Sequence, residues 1–234
     1  MPKLLSVSNS KLLKGGASHL SAMVPMVPDS RTCPNAGKAD CLSTCLYLSG
    51  MAIGYKSINI SREAKRERFF NDRKAFMADL VKDVEALLRK AARENVIPCV
   101  RLNGFSDINY ANIKAVRDGV THKNIFEAFR TVQFYDYSKV IQIMKDSKSI
   151  PNLHITFSYS PSEDFEPVVK EAKRLKGFNW AVVFENELPK TWQGKTVING
   201  ELSDLRFLDE KNVIVGLVAK GTKNAKYNNT LTKH

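Results

Sequence analysis

The chain alternates short apolar runs with amphipathic segments between residues 96 and 184, and this order restricts its fold more than any other feature. The apolar runs are typical of buried strands, and the segments between them have the three- and four-residue apolar spacing of helices. Strands that alternate with helices pair in parallel, because each helix carries the chain back to the start of the next strand. The pattern predicts strands at 96–102, 131–137, 152–158 and 180–184, and helices at 124–129, 138–147 and 165–176.

The sequence therefore indicates an α/β protein with an open or incomplete β/α barrel, and a doubly wound parallel sheet is the alternative. A helical pattern over residues 61–94 precedes these units, and Asn71 and Asp72 are expected to divide it into two helices. A short strand is predicted at 20–24. An N-terminal cysteine loop lies between that strand and the helices, and residues 196–219 predict short strands that pack on the core as a C-terminal β extension.

We expect a single β/α domain over residues 1–221, followed by a polar, basic tail at 222–234. No linker separates the predicted elements into two domains. No apolar run approaches the roughly 18 residues that a membrane helix needs, and residues 1–16 lack the apolar core of a signal peptide. These observations predict a cytoplasmic protein without a membrane association.

Three of the four cysteines lie close together in the segment TCPNAGKADCLSTC, which contains Cys33, Cys41 and Cys45. In a reducing cytosol, such a group is more typical of metal ligands or catalytic thiols than of disulfides. Three thiolates can hold an iron–sulfur cluster with one iron left open to a substrate, and this is the predicted cofactor. Zinc is the alternative, but it needs a fourth ligand, for which Cys99 and His154 are candidates. Three buried thiols without a metal remain a further interpretation.

Polar residues follow each of the predicted parallel strands. In β/α proteins the carboxyl ends of the strands meet at one edge, where loops form the functional site. We therefore expect these residues to meet at one crevice, although turn and helix-cap chemistry also favours Ser, Asp and Asn at such places. The residues are Asn103 to Asp107, Tyr137 to Lys139, Ser158 to Ser160, and Glu185 with Asn186.

Arg101 lies in the predicted strand at 96–102, where its alternation places it on the same face as Cys99 and Asn103. A guanidinium in a buried strand needs an anion or paired acceptors, because an isolated buried charge is costly. Asp107, Asp136 or a carboxylate or phosphate of a ligand could meet this need. An internal ion pair and a ligand-binding role both remain open.

The chain is strongly basic, with 36 Lys and Arg against 24 Asp and Glu and a formal net charge of +12. Such a charge favours association with nucleic acid or another polyanion. The basic run that follows the cysteines also fits a solvated helix face, since acidic residues are interspersed in it. The basic residues concerned are Arg62, Lys65, Arg66, Arg68, Arg73 and Lys74, with Lys220, Lys223, Lys226 and Lys233 near the C-terminus.

A set of motifs resembles the phage and bacterial family named after the gene-eighty-eight product of a mycobacterial phage. The motifs are TCPNAGKADCLSTC, RLNGFSDINY, FYDYSK, LHITFSYSP and GELSDLRFLDEKNVIVGLVAKG, in the family's order, and they extend from about Asn9 to Gly221. The resemblance implies a phage-borne or prophage-borne protein that acts inside the infected cell, and it brings no catalytic assignment.

The cysteine loop followed by β/α units is also similar, more distantly, to radical S-adenosylmethionine enzymes. The Cys-x7-Cys-x3-Cys spacing departs from their Cys-x3-Cys-x2-Cys spacing, and Thr44 stands where they usually carry an aromatic residue. Both departures argue against cleavage of S-adenosylmethionine. The likeness concerns architecture, and fold alone does not establish a reaction.

Two functional hypotheses follow. The first is an iron–sulfur enzyme that acts on an anionic substrate such as a nucleotide or nucleic acid. Its predicted cofactor ligands are Cys33, Cys41 and Cys45, and its predicted catalytic residues are Arg101, Asn103, Asp107, Tyr137, Lys139 and Ser158. The second is a non-catalytic basic protein that binds nucleic acid or an acidic host factor, with a structural zinc or no metal.

Overall fold

A computed structural model describes residues 3–7, 18–42, 45, 47 and 55–219 of the chain. The basic tail predicted at 222–234 lies outside the described residues, as do the lysines from Lys220 onward. The structure is a mixed α/β fold in which helices pack against a sheet of eight strands.

The eight strands of the main sheet are β1 (His19–Met23), β2 (Ile97–Arg101), β5 (Gln133–Ser138), β6 (Leu153–Ser158), β7 (Trp180–Phe184), β8 (Thr191–Trp192), β9 (Lys195–Asn199) and β10 (Ile214–Val218). Strands β3 (Ala115–Arg117) and β4 (Val120–His122) form a separate antiparallel hairpin that the sequence did not predict. The hairpin could not be predicted because each of its strands has only three residues and few apolar side chains, too few to show an alternating pattern.

The main sheet is open. Its strand order is β1-β2-β5-β6-β7-β10-β9-β8, and every neighbouring pair is parallel except β8 with β9. Within the described residues no ladder joins β1 to β8, so the sheet does not close into a barrel. From β1 to β7 the order advances in one direction without the reversal that defines a doubly wound sheet.

The helices agree with the predicted positions. They are α1 (Lys56–Asn71), α2 (Arg73–Glu94), α3 (Ile125–Ala128), α4 (Ile141–Ser147) and α5 (Glu166–Arg174). Asp72 separates the first two as predicted, because its carboxylate accepts a hydrogen bond from the Ala75 N–H and so caps the start of α2. Asn95 ends α2 in the left-handed conformation, which Asn tolerates better than most residues.

One face of the sheet packs on the helices. Alternate residues of the strands, such as Val100, Phe134, Phe157 and Val182, are fully buried there. Successive side chains of a strand point to opposite faces, so the residues between them face the other way. Only the face of the sheet that is turned away from the helices is therefore left to carry a site.

The opposite face is partly covered by the segment 200–209, which is the first part of the connection between β9 and β10. Leu205 and Phe207 of this segment pack on Cys99 and Tyr135, which project from β2 and β5. The prediction of a C-terminal extension that packs on the core was therefore only partly right. β10 is inserted beside β7 as a central parallel strand, and the connecting segment, not the strands, packs on the sheet.

Candidate functional site

A cavity of about 290 Å³ lies at the carboxyl edge of the sheet, between the cysteine loop and the strand ends. Residues from the ends of β2, β5, β6, β7 and β10 line it together with the loop. All nine residues predicted from the sequence are on its wall: Cys33, Cys41, Cys45, Arg101, Asn103, Asp107, Tyr137, Lys139 and Ser158. Glu185 and Asn186, which were expected at the same crevice, are described in the structure but do not line the cavity.

The cysteine loop is attached to the ends of three neighbouring strands. Strands β2, β5 and β6 are parallel, so the loops that follow them all lie at the same edge of the sheet. Each of these three loops makes at least one hydrogen bond with the cysteine loop, and together the bonds hold the cysteine loop over the cavity. They are Asp107 N–H to Thr32 O at 2.7 Å, Asn35 Nδ2 to Lys139 O at 2.8 Å, and Ser160 Oγ to Ala39 O at 2.8 Å.

The three cysteines of the loop are partly buried thiols at the cavity wall. Burial raises the pKa of Cys33 to about 12, and its Sγ lies 3.6 Å from the Phe105 carbonyl oxygen. Burial also raises the pKa of Cys41, while the nearby ammonium of Lys139 opposes that shift. Within the described part of the chain, no three His, Cys, Asp or Glu side chains are arranged as a preformed metal site.

Lys139 follows β5 and is partly buried, with its ammonium directed at the end of β6. Its Nζ donates to Ser158 O at 3.1 Å, to Ser158 Oγ at 2.9 Å and to Tyr159 O at 3.3 Å. Burial lowers the pKa of Lys139, and the negative charge of Cys41 and Asp107 would counteract this. The lysine therefore fastens two strand ends and places a positive charge beside the thiols.

Asp107 is a partly buried carboxyl group on the same wall. Its oxygens accept hydrogen bonds from Ser138 Oγ at 2.7 Å and from the Lys139 N–H at 2.8 Å. Burial nevertheless raises its pKa to about 6, because these two donors and the Lys139 charge compensate only part of the lost hydration. A carboxyl group with such a pKa can hold or release a proton near neutral pH.

Asn103 and Ser106 form a turn within the site. The Asn103 Oδ1 accepts from Ser106 Oγ at 2.9 Å and from the Ile108 N–H at 2.8 Å. The Asn103 N–H donates to Asp136 at 3.0 Å, and Asn103 Nδ2 donates to the same carboxylate at 3.2 Å. Asn103 and Ser106 therefore stabilise a turn, which was the alternative to a functional role in the sequence analysis, and Asn103 also holds Asp136 in place.

Arg101 has partners within the protein. Its guanidinium lies 3.3 Å from Asp204 and 3.7 Å from Asp136, and it stacks on the Tyr137 ring at 4.7 Å. Asp136 was among the predicted partners, whereas Asp107 is not in contact and Asp204 was not expected. Burial raises the pKa of Asp136 to about 7, and Arg101 opposes that shift. The internal ion pair that the sequence left open is therefore present.

Two charged residues near the site were not among the predicted catalytic or cofactor-binding residues, although Arg62 was named in the basic run. Asp204 reaches Arg101 from the segment that covers the sheet, 103 positions later in the sequence. Arg62 of α1 lies over the Phe105 ring at 4.5 Å and over the Tyr47 ring at 5.8 Å, and its charge interacts with Cys45. Both sets of contacts depend on tertiary packing, so they could not be predicted from the residue types or their spacing in the sequence.

The two residues considered as a fourth zinc ligand do not line the cavity. Cys99 is buried under the covering segment beside Tyr135 and Leu205. His154 lies on β6, where its Nε2 is 3.5 Å from Thr156 Oγ1, and burial lowers its pKa. Both belong to the packing of the sheet face below the cavity.

The fold and the site define an open β/α protein with a thiol-lined cavity at the carboxyl edge of its parallel strands. The sequence model of the Gene product 88 family matches residues 3–231, and the chain belongs to this family, as its motifs had indicated. No curated protein and no solved structure matches the chain. None of the described helices combines the length and apolar character that crossing a membrane requires.

Proposed function

We propose that the protein is an enzyme whose reaction takes place in the cysteine-lined cavity, with a metal centre on Cys33, Cys41 and Cys45. An iron–sulfur cluster is the first choice and zinc is the alternative. The observation that carries the proposal is that three thiols of one loop share a cavity with the polar ends of three parallel strands. The sheet would then be an incomplete β/α barrel whose site is at the usual edge.

The donor set fits such a centre in its chemistry. Thiolates are the preferred ligands of iron–sulfur clusters and of zinc, and binding a metal removes their protons. Lys139 and Arg62 are cations that interact electrostatically with the cysteines, so they would offset the negative charge of metal-bound thiolates. Because the side chains are not arranged as a preformed site, metal binding would have to draw the sulfur atoms together.

A bound cluster would supply an electron or an open coordination position. The protein's own residues would do the remaining work. Asp107 can hold or release a proton at its carboxyl oxygens, since its pKa of about 6 lies near neutrality. Lys139 keeps the ends of β5 and β6 together, and Arg101 with Asp204 fixes the covering segment over the cavity.

Metal analysis of protein purified without oxygen tests the proposal. We expect iron and acid-labile sulfide in wild-type protein and in a Cys99→Ala variant, which keeps the loop intact. The combined replacement of Cys33, Cys41 and Cys45 by Ser should remove both. Zinc with the same cysteine dependence would support the alternative metal. Folded wild-type protein that binds neither metal when reconstituted would refute the metal centre.

The predicted anionic substrate stays a prediction. It depended on Arg101 and Lys139 as cations that could hold a phosphate or carboxylate. Arg101 has two carboxylates near it, and the Lys139 ammonium donates to three oxygens. The support for an anion that remains is the overall net charge of +12.

The same charge favours a second candidate, a non-catalytic protein that binds nucleic acid or an acidic host factor. Part of the basic run on α1 is neutralised, since Arg66 pairs with Asp29, Glu63 and Glu67 and Arg68 pairs with Asp79. Fluorescence anisotropy with a labelled single-stranded oligonucleotide would test this candidate. Binding that weakens steeply with salt would support it, and no binding at low ionic strength would contradict the nucleic-acid version of this candidate.

The place of action proposed for either function is the cytoplasm of a phage-infected cell. Membership in the Gene product 88 family supports this proposal. Fractionation of infected cells with an antibody against the protein would test it, and a membrane or secreted location would contradict it.

A further inference from the structure

The cavity wall has two chemically different ends. The polar end contains the thiols, Asp107 and Lys139, which come from the cysteine loop and from the ends of β2 and β5. The other end is formed by β7 and β10. Its wall consists of aliphatic side chains, among them Ala181, Val183 and Leu217.

The aliphatic end belongs to the face of the sheet that is turned away from the helices. Val183 lies between Val182 and Phe184, which are fully buried on the helix side, and it is itself only partly buried. Leu217 is its direct neighbour on β10 and is also partly buried. Apolar surface that remains accessible inside a cavity is typical of a site for the apolar part of a ligand.

The space beside this wall depends on a glycine. A Cβ at Gly200 would lie 2.9 Å from Leu217 Cδ2 and 2.6 Å from Val215 Cγ1. Gly200 also lines the cavity, so the chain passes close to the aliphatic wall without a side chain of its own filling the cavity. The pairing of Ser158 with Ala181 places the polar and the aliphatic ends side by side across β6 and β7.

The charges on the wall do not favour an anion. Arg101 is balanced by Asp204 and Asp136, and the ammonium of Lys139 is held by oxygens of the protein. Asp107 and Glu201 add further carboxyl groups to the same wall. Among the described residues of the wall, both cations already contact oxygens of the protein, so a phosphate or sulfonate would have to displace those contacts. It would also lie close to carboxyl groups, and like charges at close range are unfavourable.

We propose that the cavity binds a small amphipathic molecule without net negative charge, whose apolar part lies on Ala181, Val183 and Leu217 and whose polar part faces the thiols and Asp107. This inference rests on the cavity being the substrate site of the proposed enzyme. It names the class of substrate, and it does not depend on whether the cysteines carry a metal.

Two fluorescent probes with the same aromatic skeleton test the charge preference. N-phenyl-1-naphthylamine is neutral, and 8-anilinonaphthalene-1-sulfonate carries an additional sulfonate. We expect the neutral probe to bind wild-type protein saturably with one site, and the sulfonate to compete for that site about tenfold less well or worse. Equal or stronger competition by the sulfonate would overturn the proposal and favour an anionic ligand.

Variants of the aliphatic wall test the location. Val183→Trp should fill the apolar end and abolish binding of the neutral probe, and Leu217→Asp should abolish it by adding a charge. Ile97→Trp is the matched control, because Ile97 is 52% exposed at the start of β2 and outside the cavity. Circular dichroism checks folding, and the two wall variants provide independent tests should one of them unfold. Unchanged probe binding in a folded wall variant would refute the location.

Metal content measured on the same samples separates this inference from the proposed function. Iron or zinc without probe binding would leave the metal centre standing and remove the substrate class. Probe binding without iron or zinc would support the substrate class and refute the metal centre.

Discussion

Replacing Arg101 by Met should destabilise the protein strongly, because it leaves two buried carboxylates without their cation. Arg101 is 8% exposed and lies 3.3 Å from Asp204 and 3.7 Å from Asp136, which are themselves buried. Removing one partner of such a buried pair costs about 3–5 kcal/mol. With a urea m-value of about 2–3 kcal/mol/M, the unfolding midpoint should fall by about 1–2.5 M.

The loss should depend on pH with a definite sign. Asp136 has a raised pKa of about 7, so it binds a proton more tightly in the folded than in the unfolded protein. Without Arg101 its pKa should rise further. In the folded variant Asp136 would then keep its proton to a higher pH than in the folded wild type. The free energy of unfolding of the variant would therefore continue to decrease with rising pH after that of the wild type has levelled off. The deficit relative to wild type should therefore be smaller at pH 5 than at pH 8.

Urea unfolding followed by tryptophan fluorescence measures these values, and two further variants interpret them. Arg130→Met removes a 79% exposed arginine paired with Glu127 and should cost less than about 1 kcal/mol. Asp204→Asn combined with Arg101→Met should cost less than the sum of the single changes, because the pair is coupled. A cost for Arg101→Met no larger than that for Arg130→Met would refute the network. It would instead leave Arg101 available for a ligand.

Three further predictions concern the cavity wall. The raised pKa of Asp107, about 6, makes the wild-type free energy of unfolding decrease by about 3 kcal/mol as the pH rises from about 4 to 6, and Asp107→Asn should remove this contribution. Urea unfolding at several pH values checks this, and an unchanged pH dependence in the variant would contradict it. Gly200→Ala should cost about 1–3 kcal/mol by overpacking, whereas Gly37→Ala, whose Cβ meets nothing within 4 Å, should change the unfolding free energy by less than about 0.5 kcal/mol. Lys139→Met should slow alkylation of metal-free Cys41 by iodoacetamide at pH 8, because loss of the ammonium raises the pKa of that thiol; peptide mapping measures the rate, and an unchanged rate would show that the charge does not act on Cys41.

The parts of the fold that follow from local pattern could be predicted from the sequence. Strands β2, β5, β6 and β7 are marked by apolar periodicity, and the break at Asp72 is marked by a capping carboxylate; both signals act over a few residues. The place of β10 could not be predicted in this way. A strand of the sequence IVGLV is equally apolar at an edge or in the centre, and only its pairing with β7 and β9 decides the position.

The candidate site divides in the same manner. Residues such as Asp107 and Lys139 could be named because they follow parallel strands, whose carboxyl ends share an edge. Asp204 could not, because its segment resembles an ordinary turn until the fold brings it to Arg101. The aliphatic end of the cavity was also missed, since Val183 and Leu217 are indistinguishable in sequence from core residues of their strands.

The sequence by itself determined the α/β class, the cysteine loop and the polar strand ends, because helix and strand periodicity and the chemistry of thiols are local properties. The tertiary structure decided which charges neutralise each other, which face of the sheet carries the cavity, and that the sheet stays open. These features depend on contacts between residues far apart in the chain, such as Arg101 with Asp204, and the free energy of such contacts is defined only once the fold has buried both partners.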